Sequence, residues 1–200
     1  MRFQVKNLGK KKPEGSFLFR NIEISLNEGD NLAITGPSGV GKTTLLKCIA
    51  ELTAFEEGSL YLNEKNPEQY GIPMWRTRVM YVLQRPAVNG TPLDFVSQVR
   101  KYATQQKMKS NHRDPVEISS RWGITEDLWH KEYNQLSGGE MQRISLAIAL
   151  SCNPDVLLLD GKTNFGTRPS NLSIGRGVTS LERHGDDTGM ENGGAVIVDM

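Results

Sequence analysis

Residues 32–52 read LAITGPSGVGKTTLLKCIAEL, and this stretch decides the fold of the 200-residue chain. The apolar run LAIT predicts a buried strand, and a glycine-rich loop follows it at once. Beyond the loop, apolar residues recur at helical spacing, with Leu45, Ile49 and Leu52 on one face and Leu46 and Ala50 beside them. A strand, a glycine loop and a helix in this order indicate an α/β fold.

The loop and the start of the helix fit the phosphate-binding pattern G-x-x-x-x-G-K-[ST], the P-loop. Glycines let backbone N–H groups converge on phosphate oxygens, and a helix N-terminus adds partial positive charge. Lys42 is predicted to pair with the β- and γ-phosphates, and Thr43 to offer its hydroxyl to Mg²⁺. The alternative is an accidental glycine-rich turn, and the flanking strand and helix count against it. The predicted phosphate site comprises Gly36, Pro37, Ser38, Gly39, Val40, Gly41, Lys42, Thr43 and Thr44.

A second glycine motif, LSGGEMQR, occupies residues 136–143. Serine at an N-cap followed by glycines exposes backbone donors, which favours a second phosphate site; an ordinary capped helix is the alternative. The residues of this predicted site are Ser137, Gly138, Gly139 and Glu140. The apolar side of the predicted helix carries Met141, Ile144, Ala147 and Ile148.

A third motif, VLLLD at residues 156–160, is typical of a central parallel strand buried on both faces. The strand ends on Asp160, which we expect to hold Mg²⁺ through water. A single apolar strand ending in aspartate is weak evidence by itself. Its value comes from its position, one helix length after LSGGE and about a hundred residues after the P-loop.

Taken together, the three motifs of residues 1–160 resemble those of ATP-binding-cassette (ABC) proteins. The resemblance implies ATP and Mg²⁺ as ligands and a P-loop ABC ATPase fold. It implies an antiparallel β-subdomain over residues 2–35 and a helical subdomain over residues 86–135, which contains Trp122 and Trp129. It also implies that Gln84 reaches the Mg²⁺ and the γ-phosphate.

Partners follow from the same resemblance. In the family, the P-loop of one subunit and the LSGGE of another sandwich each ATP, so a homodimer is expected. A transmembrane permease subunit is the other expected partner, contacted by the surface near Val88–Phe95. The family's adenine-stacking aromatic has no equivalent near Lys12 and Pro13. Phe17 or Phe19 could serve instead, but a strand-core role is favoured for both.

Composition narrows the location and the partners. The net charge of +1 provides no overall field for nucleic acid or anionic lipid. No run approaches 18 apolar residues, and the N-terminus lacks the apolar core of a signal peptide. We therefore expect a cytoplasmic chain that reaches a membrane only through its partner. Cys48 and Cys152 lie in separate apolar stretches and are predicted to be buried free thiols.

The chain departs from the family after Asp160. The family's general base is a glutamate at the next position, which here is Gly161, so no catalytic residue is assigned. Residues 161–200 hold 8 of the chain's 20 glycines and contain one strand-like run, AVIV at 195–198. We expect this tail to be largely disordered and the core to be truncated. His184 is a poor match to the family's switch histidine.

A change of reading frame would explain the departure. Residues 161–168 read GKTNFGTR, and codons for them read one base later can encode EKPTSALD, which is similar to the family's glutamate and D-loop. We therefore hypothesise a frame change at Asp160. Its source is a sequencing error, a gene-model error, a pseudogene or an alternative transcript.

Several functions stay open at this point. The first is an ATP-binding subunit of a transporter, with impaired ATP hydrolysis in this chain. The sequence is similar in style to metal- or iron-efflux ATPases. Phosphate and amino-acid importers are the rival assignments. The second is a catalytically dead truncated isoform. The third is an ABC ATPase acting on nucleic acid or the ribosome, which the near-neutral charge and the lack of a second cassette disfavour.

Overall fold

A computed structural model describes residues 1–83, 89–107 and 112–160, together with the backbone of residues 178–180 and 195–199. Gln84, Val88, Gly161 and His184 lie outside the described residues, and the expectations about them stay predictions. The strands are β1 (Arg2–Lys11), β2 (Phe17–Asn27), β3 (Asn31–Thr35), β4 (Glu57–Leu62), β5 (Val79–Val82), β6 (Val156–Leu159), β7 (Val178–Ser180) and β8 (Ala195–Asp199). The α-helices are α1 (Lys42–Ile49), α2 (Pro67–Tyr70), α3 (Ile72–Arg78), α4 (Pro92–Lys101), α5 (Ala103–Lys107), α6 (Pro115–Ser120) and α7 (Gly138–Ser151). Short 3₁₀ helices span Glu126–His130 and Tyr133–Gln135.

The chain divides into two compact units. One contains Met1–Tyr81 with Asp155–Met200, and the other contains Val82–Pro154. The first carries both sheets, and the second is helical. Within the described residues, no helix has the length and hydropathy of a membrane span.

An antiparallel sheet in the order β2-β1-β4 forms the N-terminal part of the first unit. The apolar side chains of β1 meet apolar partners on both neighbours, since Phe3 pairs with Leu26 and Leu62. Alternate burial along β1 shows why its sequence forms a half-buried strand. The predicted antiparallel pairing within residues 2–35 is therefore confirmed for β1 and β2, whereas β4 was not foreseen.

Gly58 permits the close approach of β4 to β1. Its φ is +103°, a left-handed conformation that side chains rarely adopt. A Cβ at this position would lie 2.6 Å from the Cα of Leu8 and from the carbonyl oxygen of Lys6. Backbone atoms cannot yield as a flexible side chain can, so only glycine allows the strands to pair here.

The central sheet has the order β5-β6-β8-β3-β7. The P-loop strand β3 pairs in parallel with β7 and β8, and β8 pairs in parallel with β6. Leu32, Ile34 and Leu158 are almost completely buried, which agrees with a sheet covered on both faces. This arrangement confirms the α/β class and places Asp160 at the carboxyl end of β6.

The two strands of the tail differ from the expectation of disorder. Val178–Ser180 lies beside β3, and Ala195–Asp199 lies between β3 and β6 rather than alone. A short β-branched run can pair with an apolar parallel strand on each side. The local sequence pattern does not show which strands it will pair with. The remaining residues of 161–200 lie outside the described part of the chain.

Helix α1 is shorter than its apolar pattern predicted. It ends at Ile49, with Ala50 as its C-cap, and Glu51 adopts a positive φ of 58°. Leu52 therefore lies beyond the helix and is 47% exposed, so its assignment to the helix face that carries Leu45 and Ile49 was wrong. Leu45 and Leu46 are buried in the core as predicted.

Trp75 on α3 anchors the core of the first unit. Its side chain is fully buried. The centroid of its ring system lies 6.4 Å from the ring centroid of Phe3 and 6.0 Å from that of Tyr70. The indole Nε1 donates to the carbonyl oxygen of Ile49, 3.0 Å away. This bond satisfies the indole N–H and secures the end of α1.

The helical unit has a second core around Trp129, which is fully buried. The indole of Trp129 donates to Ser119 Oγ at 3.1 Å. Ile144 of α7 belongs to the same cluster, so the unit extends past the predicted boundary at residue 135 to include α7. Trp122, which was predicted to lie in this subdomain, packs against the cluster while partly exposed.

Both cysteines are free and buried, as the sequence predicted. Burial raises the pKa of the Cys48 thiol to about 11. Burial also raises the pKa of the Cys152 thiol above its ordinary value. Neither thiol therefore has the thiolate character of a reactive cysteine at neutral pH.

Candidate nucleotide-binding site

The P-loop joins β3 to α1 with an unusual backbone path. Gly36, Gly39 and Gly41 all have positive φ angles, of 153°, 81° and 110°. At Gly41 an added Cβ would lie 3.0 Å from Cγ of Leu18, so both conformation and space restrict this position to glycine. The loop is exposed from Pro37 to Gly39, where a ligand can reach its backbone.

Lys42, the first residue of α1, has its ammonium group inside this loop. Its Nζ donates to the carbonyl oxygens of Gly36, at 2.7 Å, and Pro37, at 3.3 Å. These contacts hold the loop around one positive charge. A cation held by two carbonyls of a glycine-rich loop is suited to bind the oxygens of a polyphosphate.

The start of α1 also suits an anion. Helix α1 has no acidic residue in its first turn, and its N-cap, Gly41, has no side chain that could cap it. By contrast, α2, α4 and α7 each begin with a reciprocal capping box. The backbone N–H groups and the partial positive charge at a helix N-terminus favour an anion, and no carboxylate in the first turn of α1 competes for them.

Thr43 and Asp160 meet at the carboxyl ends of the central strands. The hydroxyl of Thr43 donates to Asp160 Oδ1 at 2.8 Å, although 117 residues separate the two in sequence. The hydroxyl of Tyr81, at β5, donates to Asp160 Oδ2. The structure thus brings together the two residues that were predicted separately as Mg²⁺ ligands. It also places Tyr81 against Asp160, which was not predicted.

This oxygen set fits Mg²⁺ bound together with a nucleotide. Mg²⁺ prefers hard oxygen ligands and is held by few protein groups when phosphates complete its coordination. The Thr43 hydroxyl can offer a lone pair while it still donates to Asp160. Among the described residues, no group of three or more His, Cys, Asp or Glu side chains could hold a metal ion by itself.

The LSGGE motif forms the start of α7, as the sequence predicted. Ser137 is the N-cap, and its backbone N–H and its hydroxyl each donate to Glu140 Oε2 at 2.7 Å. These bonds lower the pKa of the Glu140 carboxyl below its ordinary value. Gly138 and Gly139 are exposed. Within the chain the acceptor for Ser137 is therefore Glu140, and a phosphate role for the motif stays a prediction.

Loss of this cap should destabilise the helical unit measurably. Changing Ser137 to alanine removes one partner of the capping box, and such changes cost about 0.5–2 kcal/mol of stability. We expect the free energy of unfolding, measured by urea titration at pH 7, to fall by about 1 kcal/mol. The control is Ser145→Ala on the same helix, because Ser145 donates only to the carbonyl of Met141. Equal stability of the two variants would contradict the expectation.

The same cap predicts a pH dependence. A carboxyl whose pKa is lowered by folding stabilises the protein above its unfolded pKa, and the stabilisation is lost as the pH falls through the lowered pKa. For Glu140 the loss lies below its ordinary value of 4.5. The stability difference between Ser137→Ala and the wild type should therefore narrow below that pH.

The aromatic residues of β2 behave differently from each other. Phe19 is buried in the core of the first unit, as predicted. Phe17 is only half-buried, so its prediction as strand core was wrong. Its ring lies 5.3 Å from Lys11 Nζ and 4.6 Å from Arg20 Cζ, and these cations replace the apolar neighbours expected of a core residue.

Tyr81 is the site residue that sequence reasoning missed. It lies three positions before Gln84. Tyr81 lies on β5, and β5 lies beside β6, which ends next to Asp160. Recognising it requires the strand order, which the sequence does not show.

Comparison with known proteins agrees with these motifs. A family model described as "ABC transporter" matches residues 19–164. The chain is 34% identical to "Probable iron export ATP-binding protein FetA" of Escherichia coli K12, over 80% of this chain and 70% of that protein. It is 30% identical to "Phosphate import ATP-binding protein PstB" of Shewanella denitrificans, over 90% and 70%.

Other relatives are longer. "Fe(3+) ions import ATP-binding protein FbpC" of Fusobacterium nucleatum is 30% identical over 80% of this chain, which spans only 42% of that protein. A solved cbiO1 structure from Clostridium perfringens covers 98% of this chain and 77% of that one, with a TM-score of 0.65 at 21% identity.

The ATP-binding cassette MJ0796, solved as a dimer bound to ADP and Pi, gives a TM-score of 0.67 at 23% identity and covers 98% and 87%. At this identity, the two solved structures establish the fold alone. The match over residues 19–164 and the identity with FetA establish the family. This chain belongs to the ABC transporter family, as an ATP-binding domain.

Proposed function

We propose that this chain binds Mg-ATP as the ATP-binding subunit of an ABC transporter and that it hydrolyses ATP poorly. The observation that carries the proposal is the contact of Thr43 with Asp160 beside the loop that encloses Lys42. A hydroxyl, a carboxylate and an ammonium group together match the needs of a metal-bound triphosphate.

Each of these residues has a distinct task in the proposed site. Lys42 exchanges the carbonyls of Gly36 and Pro37 for phosphate oxygens. The N–H groups at the start of α1 donate hydrogen bonds to further phosphate oxygens. Thr43 and Asp160 would hold the Mg²⁺. When bound, Mg²⁺ neutralises charge on the phosphates.

The Thr43 hydroxyl provides the first test. Thr43→Val keeps the side-chain shape but removes the hydroxyl, and we expect Mg-ATP affinity to fall about tenfold, as for other changes around bound metals. Affinity for ATP in EDTA should change little, because Lys42 and the loop are intact. A fluorescent ATP analogue titrated with and without Mg²⁺ measures both values.

The control for this test is Thr77→Val. Thr77 lies in the same unit, on α3 rather than in the P-loop, and its hydroxyl donates to the carbonyl oxygen of Pro73. It should bind Mg-ATP like the wild type. If Thr43→Val binds Mg-ATP as tightly as Thr77→Val does, the proposed role of Thr43 is wrong. Absence of nucleotide binding by the wild type would contradict the whole proposal.

Poor hydrolysis is proposed from Gly161, which stands where the family has its general base. Loss of a general base lowers a rate by about 10²–10⁴-fold. Glycine at this position also favours the second candidate function, a truncated isoform that binds a transporter subunit without hydrolysing ATP. An antibody against residues 1–160 would detect such a product as a band near 22.3 kDa in cells that make it.

The proposed partners are a second copy of the chain and a transmembrane permease. The dimeric state of MJ0796 and the transporter names of the relatives support both. Fractionation of cells provides a test, because a transporter subunit sediments with membranes and a translation factor with ribosomes. Recovery of the chain with ribosomes would favour the alternative of an ABC ATPase that acts on nucleic acid or the ribosome.

The first candidate for the transported substrate is a metal ion. The name of FetA, an iron exporter, supports it, and PstB, a phosphate importer, supports the rival. In transporters of this family the substrate contacts the permease. Identification of the co-purified permease would therefore distinguish the two candidates.

A further inference from the structure

Asp160 is held by two hydroxyl groups that reach it from different elements. Thr43, in the first turn of α1, donates to Oδ1 at 2.8 Å. Tyr81, on β5, donates to Oδ2. Each carboxylate oxygen therefore has its own donor, so the plane of the carboxylate cannot rotate without breaking a hydrogen bond to a charged group.

Tyr81 is well placed to fix the orientation of the Asp160 carboxylate. Its ring is half-buried and packs against the core of the first unit, so the hydroxyl stands on a fixed support. The strand that carries it, β5, lies next to β6, which ends one residue before Asp160. Both groups thus start from adjacent strands of one sheet, and their separation is set by the backbone.

The two donors differ in what they do when a nucleotide binds. Thr43 is itself a proposed Mg²⁺ ligand, and it belongs to the P-loop helix that receives the phosphates. Tyr81 donates to the other carboxylate oxygen and is not a proposed Mg²⁺ ligand. Groups that orient metal-binding side chains from behind commonly contribute about 10–100-fold to metal affinity.

We propose that Tyr81 is a positioning residue that aims the Asp160 carboxylate at the Mg²⁺ of the bound nucleotide. This inference rests on the proposed function, because it assumes that Asp160 faces a metal-nucleotide complex. It adds a residue beyond the three motifs. Tyr81 acts through Asp160 and touches neither the metal nor the phosphates.

The test removes the hydroxyl alone. Tyr81→Phe keeps the ring and its packing, and we expect the apparent affinity for Mg²⁺, titrated at a fixed concentration of fluorescent ATP analogue, to fall about tenfold. Affinity for the same analogue in EDTA should stay within about twofold of wild type, since the P-loop is untouched. A purely structural role would not separate these two readouts.

Tyr70→Phe is the matched control. Tyr70 is also half-buried in the first unit, and its hydroxyl donates to the carbonyl oxygen of Leu62 at 3.1 Å, away from Asp160. It should leave both affinities unchanged. Thermal unfolding of both variants measures how much stability each lost hydroxyl costs.

A double-variant cycle tests whether Tyr81 acts through Asp160. In an Asp160→Asn background, Tyr81→Phe should have no further effect on Mg²⁺ affinity, because the two changes interrupt the same interaction. Additive losses would overturn the proposal. So would an unchanged or increased Mg²⁺ affinity in Tyr81→Phe alone, or an equal loss of affinity with and without Mg²⁺.

Failure of this inference is distinguishable from failure of the proposed function. If the wild type binds nucleotide with an Mg²⁺ dependence and Tyr81→Phe behaves in the same way, only the inference is wrong. If the wild type binds no nucleotide, the proposed function is wrong and the inference falls with it.

Discussion

Replacing Gly161 with glutamate is expected to raise the rate of ATP hydrolysis by about 10²–10⁴-fold, the usual contribution of a general base. The reason is positional. The proposal of impaired hydrolysis takes the residue after Asp160 as the position of the family's general base, and glycine offers no carboxylate for that task. Steady-state phosphate release by purified wild-type and Gly161→Glu chains, measured at several protein concentrations, gives the ratio.

Gly161→Gln is the control for this gain. It supplies a side chain of the same length without a basic carboxylate, and it should hydrolyse ATP no faster than the wild type. Equal rates for Gly161→Glu and Gly161→Gln would show that the missing base does not limit hydrolysis. A wild-type rate equal to that of an intact relative would contradict the proposal of impaired hydrolysis directly.

The origin of Gly161 has its own test. The hypothesis of a frame change predicts that genomic DNA or transcript, sequenced across the codon for Asp160, contains a version that encodes EKPTSALD next. A variant with EKPTSALD in place of residues 161–168 then shows whether the D-loop adds to the effect of the glutamate. A single uninterrupted frame with no alternative junction would remove the sequencing and gene-model explanations.

Replacing Lys42 with alanine is expected to weaken ATP binding by roughly 10–150-fold, since hydrogen bonds to charged groups contribute about 1.5–3 kcal/mol each. The ammonium group bonds the carbonyls of Gly36 and Pro37 and lies within the loop that would surround the phosphates. Unlike the loss in Thr43→Val, this loss should appear both with Mg²⁺ and in EDTA. Titration with the fluorescent ATP analogue measures it.

Lys47→Ala is the matched control because Lys47 lies in the last turn of the same helix. It removes one positive charge from α1 without changing the loop. Its ATP affinity should stay within about twofold of wild type, because its end of the helix lies away from the phosphates. Similar losses for both lysine variants would show that net charge, rather than the enclosed ammonium group, controls binding.

The local parts of the site were predictable from the sequence. The P-loop spacing predicted a strand, a glycine turn and a helix, and the structure has β3, the loop and α1 in that order. The LSGGE motif predicted an N-cap serine with a helix behind it, and Ser137 caps α7. Each prediction depends on residues within a few positions of one another, where spacing and capping chemistry control the backbone.

The errors occurred where burial depends on distant partners. Leu52 fits the apolar period of α1 but is exposed, because the helix stops at Ile49. Phe17 fits a strand core but lies between Lys11 and Arg20. Periodicity states which side chains share a face, and it does not state where the face ends or what covers it.

The sequence by itself therefore determined the family and the glycine loop between β3 and α1, and it predicted Thr43 and Asp160 as metal-side residues. The tertiary structure alone decided that these two meet at 2.8 Å, that β8 lies between β3 and β6, and that Tyr81 shares the carboxylate of Asp160. The physical reason is the order of the strands. Strand order brings together residues that are far apart in the chain, and the free energy of that pairing depends on complementary surfaces that no single segment contains.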